Sequence, residues 1–321
     1  MIEFDMMIEN YLWKKKGLIY KPSNENEWWI SAAMAPAPVM YDENTIRIYL
    51  GAWDKNKISR ISYIDVDANN PKIVKKISND IILDIGKDGC FDDNGVFPAH
   101  VYKNHDGRIF LYYTGFQKLE KIPFSNFSGL AISYDNGNTF ERVSNAPVID
   151  RADEGLYTRA GLSTVFADGV FKCCYSVGSD WYYIAGKNRP IYEVNYIESA
   201  NGIDFPKKGA RIVSVDPHTE HGLGRPQIVY IKNKLFVFYT RRTVNYKYSM
   251  GCAFFDGKNE WKRCDEWLDT IKHGSDGEFD SEMVYFPAVI DTGKKIFLFY
   301  CGNGYGVEGF GFAELEKKNA I

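Results

Sequence analysis

The chain has 321 residues, 45% of them hydrophobic and 16% aromatic, enough apolar mass to build one large all-β domain or two ordinary ones. Its net charge is -3, with Lys and Arg scattered rather than clustered, which argues against a nucleic acid or an anionic membrane surface as partner. The six cysteines show no C-x-x-C spacing and read as reduced core residues rather than as a disulfide or zinc set.

The N-terminus, MIEFDMMIENYLWKKK, carries acids where a signal peptide would carry positive charge. No window approaches the ~18 apolar residues of a bilayer span, so a cytoplasmic location is expected. WKKKGLIYK follows as a strand-like piece standing alone. From Ala37 onward one unit recurs, a β-branched run opened by a small residue or Pro, a short turn, and a second run ending in an aromatic. The copies read APVMYDENTIRIYLGAW, FPAHVYKNHDGRIFLYYTGF, GLSTVFADGVFKCCYSVGS, RPQIVYIKNKLFVFYTRR and FPAVIDTGKKIFLFYCGN, with starts 60, 64, 64 and 61 residues apart. Each continues into a third strand, such as SGLAISYD or YSMGCAFFD, and mostly into a shorter fourth, such as FERVS or WKRCD.

Alternation has period two throughout and no long helical pattern appears. The expected fold is an all-β, five-bladed β-propeller with four antiparallel strands per blade, the blades beginning near residues 37, 97, 161, 225 and 286. The last unit stops after its third strand, so WKKKGLIYK is expected to complete it. Composition shifts nowhere along the chain, and residues 1–321 read as a single domain.

That topology sorts the loops. Turns between third and fourth strands, such as Asp135-Asn136-Gly137 and Asp256-Gly257, carry ordinary hairpin residues. The other face collects Asp92, Asp93, Asn94, Arg159, Glu220, His221, Arg225, Asp280 and Glu282 ahead of first strands. After second strands it adds Trp53, Asp54, Asp180, Trp181, Arg241, Arg242, Asn303 and Tyr305. Indole and phenol faces stack on a pyranose, while arginine forks and carboxylates grip hydroxyls or phosphate.

Glu220, Asp93, Asp280 and Asp92 are therefore the candidate catalytic acids, since paired carboxyls flanking a glycosidic bond serve as acid and base. Arg225, Arg241, Arg242, His221, Arg159, Trp53, Asp180, Trp181, Glu282, Asn303 and Tyr305 are the candidate substrate-binding residues. Each acid taken alone equally suits a cap, a turn or an ion pair, and Arg225 beside Pro226 suits a pin between blades. Convergence is what makes the set a site. The oxygens of Asp92, Asp93 and Asp280 would suit a divalent cation, although the pattern calls for no cofactor. No nucleophile elbow, P-loop, H-E-x-x-H or dinucleotide fingerprint occurs.

With its five repeats, the RPQIV opening at Arg225 and an acid shortly before it, the chain resembles the five-bladed glycosidase superfamily of glycoside hydrolase families 32, 43, 62, 68 and 130. Over roughly residues 30 to 315 it is similar to uncharacterised glycosidase-like propellers of polysaccharide and sugar-nucleotide gene clusters. The shared stretches are DDNGVFP, PFSNFSGLAIS, GRPQIV and FDSEMVYFP followed by FYCGNGYG.

The resemblance implies an enzyme acting on a glycosidic or glycosyl-phosphate bond in surface-glycan or sugar-nucleotide metabolism. Its ligand would be a sugar, sugar phosphate or nucleotide sugar. The alternative is a glycan-binding propeller that has lost the hydrolytic acids. Family 43 places its general base directly before the Pro of blade one, where this chain has Ala37, and its tuning Asp of blade three is replaced by Gly161 and Leu162. The hydrolytic triad does not carry over as a set, and Glu220, six residues before Pro226, is the match to the blade-four acid. The phosphate-holding cluster of family 130 would correspond to Arg225, Arg241, Arg242, His221 and Lys247.

Overall fold

The computed structural model describes residues 9–184, 186–245, 247–258 and 260–318. The acid-bearing residues 1–8, read above against a signal peptide, lie outside the described residues. The first strand, β1 (Tyr11–Tyr20), stands apart from the unit that follows it. An antiparallel meander comes next, β2 (Ser31–Asp42), β3 (Thr45–Trp53), β4 (Ser59–Asp67) and β5 (Val74–Ile77). The second is β6 (Val96–Lys103), β7 (Ile109–Lys118), β8 (Phe124–Ser133) and the two-residue β9 (Glu141–Arg142).

The third meander contains β10 (Thr158–Ala167) and β11 (Val170–Gly178), then a separate hairpin, β12 (Trp181–Ile184) with β13 (Lys187–Pro190), and finally β14 (Glu193–Ser199) and β15 (Ala210–Val213). It is joined to the second by a short parallel pairing of β10 with β8, Thr158 opposite Asn126, so that the two form one eight-stranded sheet instead of the two separate four-stranded sheets expected. The fourth is β16 (Glu220–Ile231), β17 (Lys234–Thr243), β18 (Ser249–Phe255) and β19 (Trp261–Arg263). The last, β20 (Tyr285–Asp291), β21 (Ile296–Cys301) and β22 (Phe310–Lys317), has three strands of its own. Its fourth is β1, antiparallel to β22 with Trp13 opposite Leu315.

Period-two alternation explains why these sheets stack. In each second strand, neighbouring side chains enter different apolar clusters. Ile48 and Leu50 pack with the last unit, while Tyr49 between them packs with the second. Phe110 and Leu111 divide between the third and first units in the same way, and Phe297 and Leu298 between the first and fourth. Five clusters result, joining units one and two, two and three, three and four, four and five, and five and one. The first strands adjoin in the same order, β2 with β6, β6 with β10, β10 with β16, β16 with β20 and β20 with β2. Trp13 carries β1 into the cluster of units four and five, its ring 5.5 Å from that of Trp267.

Every first strand bulges at the same level. Register slips between Met34 and Ala37, Pro98 and His100, Ala160 and Ser163, Gly224 and Gln227, and Tyr285 and Ala288. A bulge sets two residues against one on the neighbouring strand, frees backbone groups from the ladder and re-aims side chains. Ala35, Gly161, Arg225 and Phe286 take positive φ at these points, three of them directly before a proline. The first unit therefore turns at Ala35-Pro36, two residues ahead of the expected start. Ala37 is an ordinary paired residue opposite Tyr49.

Five of the six cysteines are buried and all are reduced, with the Sγ atoms of Cys252 and Cys264 3.3 Å apart. No helix among the described residues is long and apolar enough to cross a membrane.

Candidate functional site

Where the bulged first strands meet, all five units line one depression. A wider part of about 310 Å³ opens onto a narrow base of about 40 Å³, and Phe97, Asn126, Tyr192, Arg242 and Phe286 border both. Each first strand contributes a residue at or beside its bulge, namely Met34, Phe97, Gly161, Arg225 and Phe286. The bulge explains this, since it re-aims side chains out of the ladder, and Phe97, Arg225 and Phe286 each stand directly ahead of a proline there. Phe97 and Phe286 consequently face one another with centroids 6.4 Å apart and planes inclined by 17°. Trp53 and Tyr305 complete the aromatic wall with Phe116, Phe124 and Tyr192. Three clefts are larger. Those of about 840 and 760 Å³ run between outer strands and each draws on two units, while one of about 390 Å³ lies beyond the bulges and is lined by first-strand residues of all five units, among them Val39, Val101, Val165, Ile228 and Val289.

Arg225 fills the base. Its guanidinium meets no carboxylate and instead donates to five carbonyls. Nε reaches Pro98 O at 3.2 Å, Nη1 reaches Phe286 O and Pro287 O at 3.4 and 3.3 Å, and Nη2 reaches Ala35 O and Pro36 O at 3.1 and 2.6 Å. These are carbonyls at the bulges of three other units. Burial lowers the Arg225 pKa to about 10, which leaves it charged at neutral pH.

Arg242 stands at the junction of the wide and narrow parts, its Cζ 5.0 Å from the ring centre of Tyr192 and 5.6 Å from that of Tyr248. Its Nε is buried and has no hydrogen-bond partner. Three further buried atoms on the pocket wall share that condition: Ser59 Oγ, Asn126 Oδ1 and Thr158 Oγ1. Buried polar atoms are nearly always paired, so four such atoms around one hollow mark a place where water or a ligand supplies the partners.

The candidate acids are placed elsewhere. Asp92 is buried beneath the second unit, 2.9 Å from Arg142 Nη2, and accepts from Tyr113 Oη. Asp280 repeats the arrangement in the last unit, with Lys15 Nζ at 2.7 Å and Tyr300 Oη at 2.9 Å. Glu220 is also enclosed, with Arg241 Nε at 2.6 Å, Arg263 at 2.7 and 3.0 Å, and the amide of Asp216 at 2.9 Å. Burial raises its pKa, but the hydrogen bonds from Arg263, Asp216 and Arg241 prevail and hold it at about 2.

Asp93 alone among the four stands outside an ion pair. Its Oδ2 accepts from Gly89 N and Gln117 Nε2, while its Oδ1 is buried without a partner. No Asp or Glu lines either part of the pocket. The divalent-cation grouping of Asp92, Asp93 and Asp280 is not assembled, because Asp92 and Asp280 are each neutralised inside a different unit. Among the described residues no three His, Cys, Asp or Glu side chains form a metal-binding group.

Of the candidate binding residues, Arg225, Arg242, Trp53 and Tyr305 line the pocket. Arg241 is committed to Glu220, and Arg159 to Glu154 at 2.9 Å. His221 is buried, and burial lowers its pKa to about 4, so the neutral ring donates from Nδ1 to Pro190 O at 3.1 Å. Trp181 packs 4.7 Å from Tyr157 and 5.6 Å from the wall residue Phe124. Asp180 and Glu282 are exposed, and Asn303 spends its side-chain oxygen on the amides of Glu282 and Met283.

Sequence reasoning missed Phe97, Phe286, Ser59, Phe124, Asn126 and Tyr192. One signal was available. Third strands begin at the end where second strands finish, so Ser59, Phe124 and Asn126 follow from the same strand count that selected Trp53.

No family model matches the chain. An uncharacterized Mycobacterium tuberculosis protein, Rv1502, is 29% identical over 307 residues, covering 95% of this chain and 99% of that one. Among solved structures, a glycosyl hydrolase from Bacteroides ovatus superimposes with a TM-score of 0.70 at 13% identity, covering 96% of both chains. A thermostable family-43 glycoside hydrolase gives 0.60 at 14% identity over 94% of each. A structure from the GH130 family of mannoside phosphorylases, a study of hydrolases that target β-1,2 mannosidic linkages in Candida mannan, gives 0.63 at 15% identity, covering 94% of this chain and 89% of that one.

Proposed function

We propose that this chain, which has the fold of glycoside hydrolase-like propellers, closes its units into a single five-bladed propeller whose axial pocket binds a saccharide. Closure is supported by the cyclic order of the five clusters and of the adjoining first strands. The observation that carries the binding reading is the pocket itself, an aromatic wall around four buried polar atoms that lack partners. Ring faces take the apolar face of a pyranose, and the orphaned groups take its hydroxyls. Neighbours of the same fold named for glycan hydrolysis and phosphorolysis support this choice of ligand.

Saturation-transfer NMR against a panel of mono- and disaccharides, free and phosphorylated, tests it. Binding that weakens at least tenfold in Phe97→Ala is expected. Absence of saturation transfer from every saccharide at millimolar concentration would overturn the reading.

Catalysis on a glycosidic or glycosyl-phosphate bond is the second reading, and Asp93 favours it. This acid is free of any ion pair, has a partnerless buried oxygen, and directly precedes the wall residues Asn94 and Gly95. Chromatography of a bound saccharide after long incubation separates the two readings. Product that disappears in Asp93→Asn supports catalysis, and an intact ligand supports binding alone.

A further inference from the structure

The electrostatics of the pocket run against those of the chain. The protein carries a net charge of -3, yet the walls of the wide and narrow parts hold Arg225, Arg242, Lys57 and Lys118 and no acid. Elsewhere on the same face the arginines are neutralised, Arg159 by Glu154 and Arg241 by Glu220. Arg242 differs from them. Among the described residues it has neither an ion pair nor a hydrogen bond, and its guanidinium rests against the rings of Tyr192 and Tyr248. Arg225 lies behind it with only carbonyl partners, so its charge is solvated by dipoles and is not cancelled.

Two arginines at the base of a narrow hollow, with no carboxylate on the walls, focus a positive potential on that point. Guanidinium groups match the oxygens of a carboxylate or phosphate, and such charge-assisted bonds are about twice as strong as neutral ones.

We propose that the saccharide bound here is anionic, a sugar acid or a sugar phosphate, and that its negative group seats against Arg242 above Arg225 while its ring lies between the aromatic walls. The proposal rests on the carbohydrate reading and adds the charge of the ligand to it. Asn126 Oδ1 and Thr158 Oγ1 border the same narrow part, and Thr158 has a hydroxyl to donate. Lys57 and Lys118 at the wide part would steer the anion inward.

Titration calorimetry of the full chain at two salt concentrations tests this with methyl glucoside, glucuronate, glucose 1-phosphate and inorganic phosphate, on the parent, Arg242→Lys and Arg242→Ala. The expected result is binding of glucuronate or glucose 1-phosphate about tenfold to a hundredfold tighter than methyl glucoside. Added salt should weaken it, Arg242→Ala should abolish the preference, and Arg242→Lys should restore part of it. The preferred anion distinguishes a sugar acid from a sugar phosphate.

Equal affinity for methyl glucoside and its charged counterparts would overturn the proposal while leaving the carbohydrate reading intact, as would indifference of the charged sugars to Arg242→Ala. Inorganic phosphate bound through Arg242 with no gain from an attached sugar would support the anion seat and overturn the carbohydrate reading. No binding of any probe overturns both.

Discussion

Replacing Arg225 by methionine isolates the contribution of the axial guanidinium, because the thioether keeps most of the volume and none of the donors. Three of the five carbonyl contacts lie within 3.2 Å. Orphaning a buried acceptor costs about 1–3 kcal/mol, which gives roughly 3–9 kcal/mol for the three. Burial of the charge opposes this. The fall of the pKa from 12.5 to about 10 corresponds to about 3 kcal/mol that methionine would recover.

The net expected destabilisation is therefore up to about 6 kcal/mol, with a central value near ~3 kcal/mol. At an unfolding entropy of about 2.1 cal/mol/K per residue, a chain of 321 residues loses 1 °C of Tm for each ~0.7 kcal/mol, so the transition should fall by about 4 °C at the central value and by up to about 9 °C. Scanning calorimetry measures it directly. Arg225→Lys should recover little, since a single ammonium cannot fork to carbonyls drawn from three units. A methionine variant whose Tm stays within 1 °C of the parent would refute the idea that this arginine holds the bulges together.

Three further outcomes follow from the same structure. Trp13→Ala should cost about 3–5 kcal/mol and lower Tm by about 4–7 °C, because its buried ring ties β1 to the cluster of units four and five; an unchanged Tm would show that β1 is dispensable. Urea midpoints followed against pH should fall as the pH drops below 6.5, because the unfolded chain protonates His221 and His100 before the folded one does, down to about pH 4 and 3, and between pH 4.5 and 2 the same holds for Glu220, so stability is lost as pH falls through each window. His221→Gln should make the upper part of the profile shallower, His221→Gln combined with His100→Gln should flatten it, and Glu220→Gln should make the lower part shallower; a parent profile level between pH 6.5 and 4 would contradict the histidine assignment. Gly161→Ala should destabilise by about 1–3 kcal/mol in the same assay, since Gly161 has a φ of +74° and a methyl there would come within 3.1 Å of Arg225 Cα.

Much of the molecule follows from the chain read alone, because its signals are local. A period of two, a turn and a repeat near sixty residues determined the strands and their grouping, and an unfinished last unit pointed to WKKKGLIYK as the missing strand. The same strand count identified the end of the sheets that carries Trp53, Arg225, Arg242 and Tyr305. The chemical identity of that end was decided in three dimensions. Asp92 and Asp280 look like catalytic acids in DDNGVFP and FDSEMVYFP, and nothing near them announces that Arg142 and Lys15 will neutralise them. Those cations come from the fourth strand of each unit, 50 residues downstream in one case and 265 upstream in the other.

The alternation of Ala and Pro in APAP likewise left two places for the first bulge, and only the pairing of Ala37 with Tyr49 chose between them. Phe97 and Phe286 stand in the sequence only as the openings of their units, and it is the bulge that sets their rings face to face. Local pattern determines where the backbone goes. Which side chains remain unpaired in the hollow depends on contacts between units far apart in the chain, and those unpaired groups are what give Arg242 its place in the site.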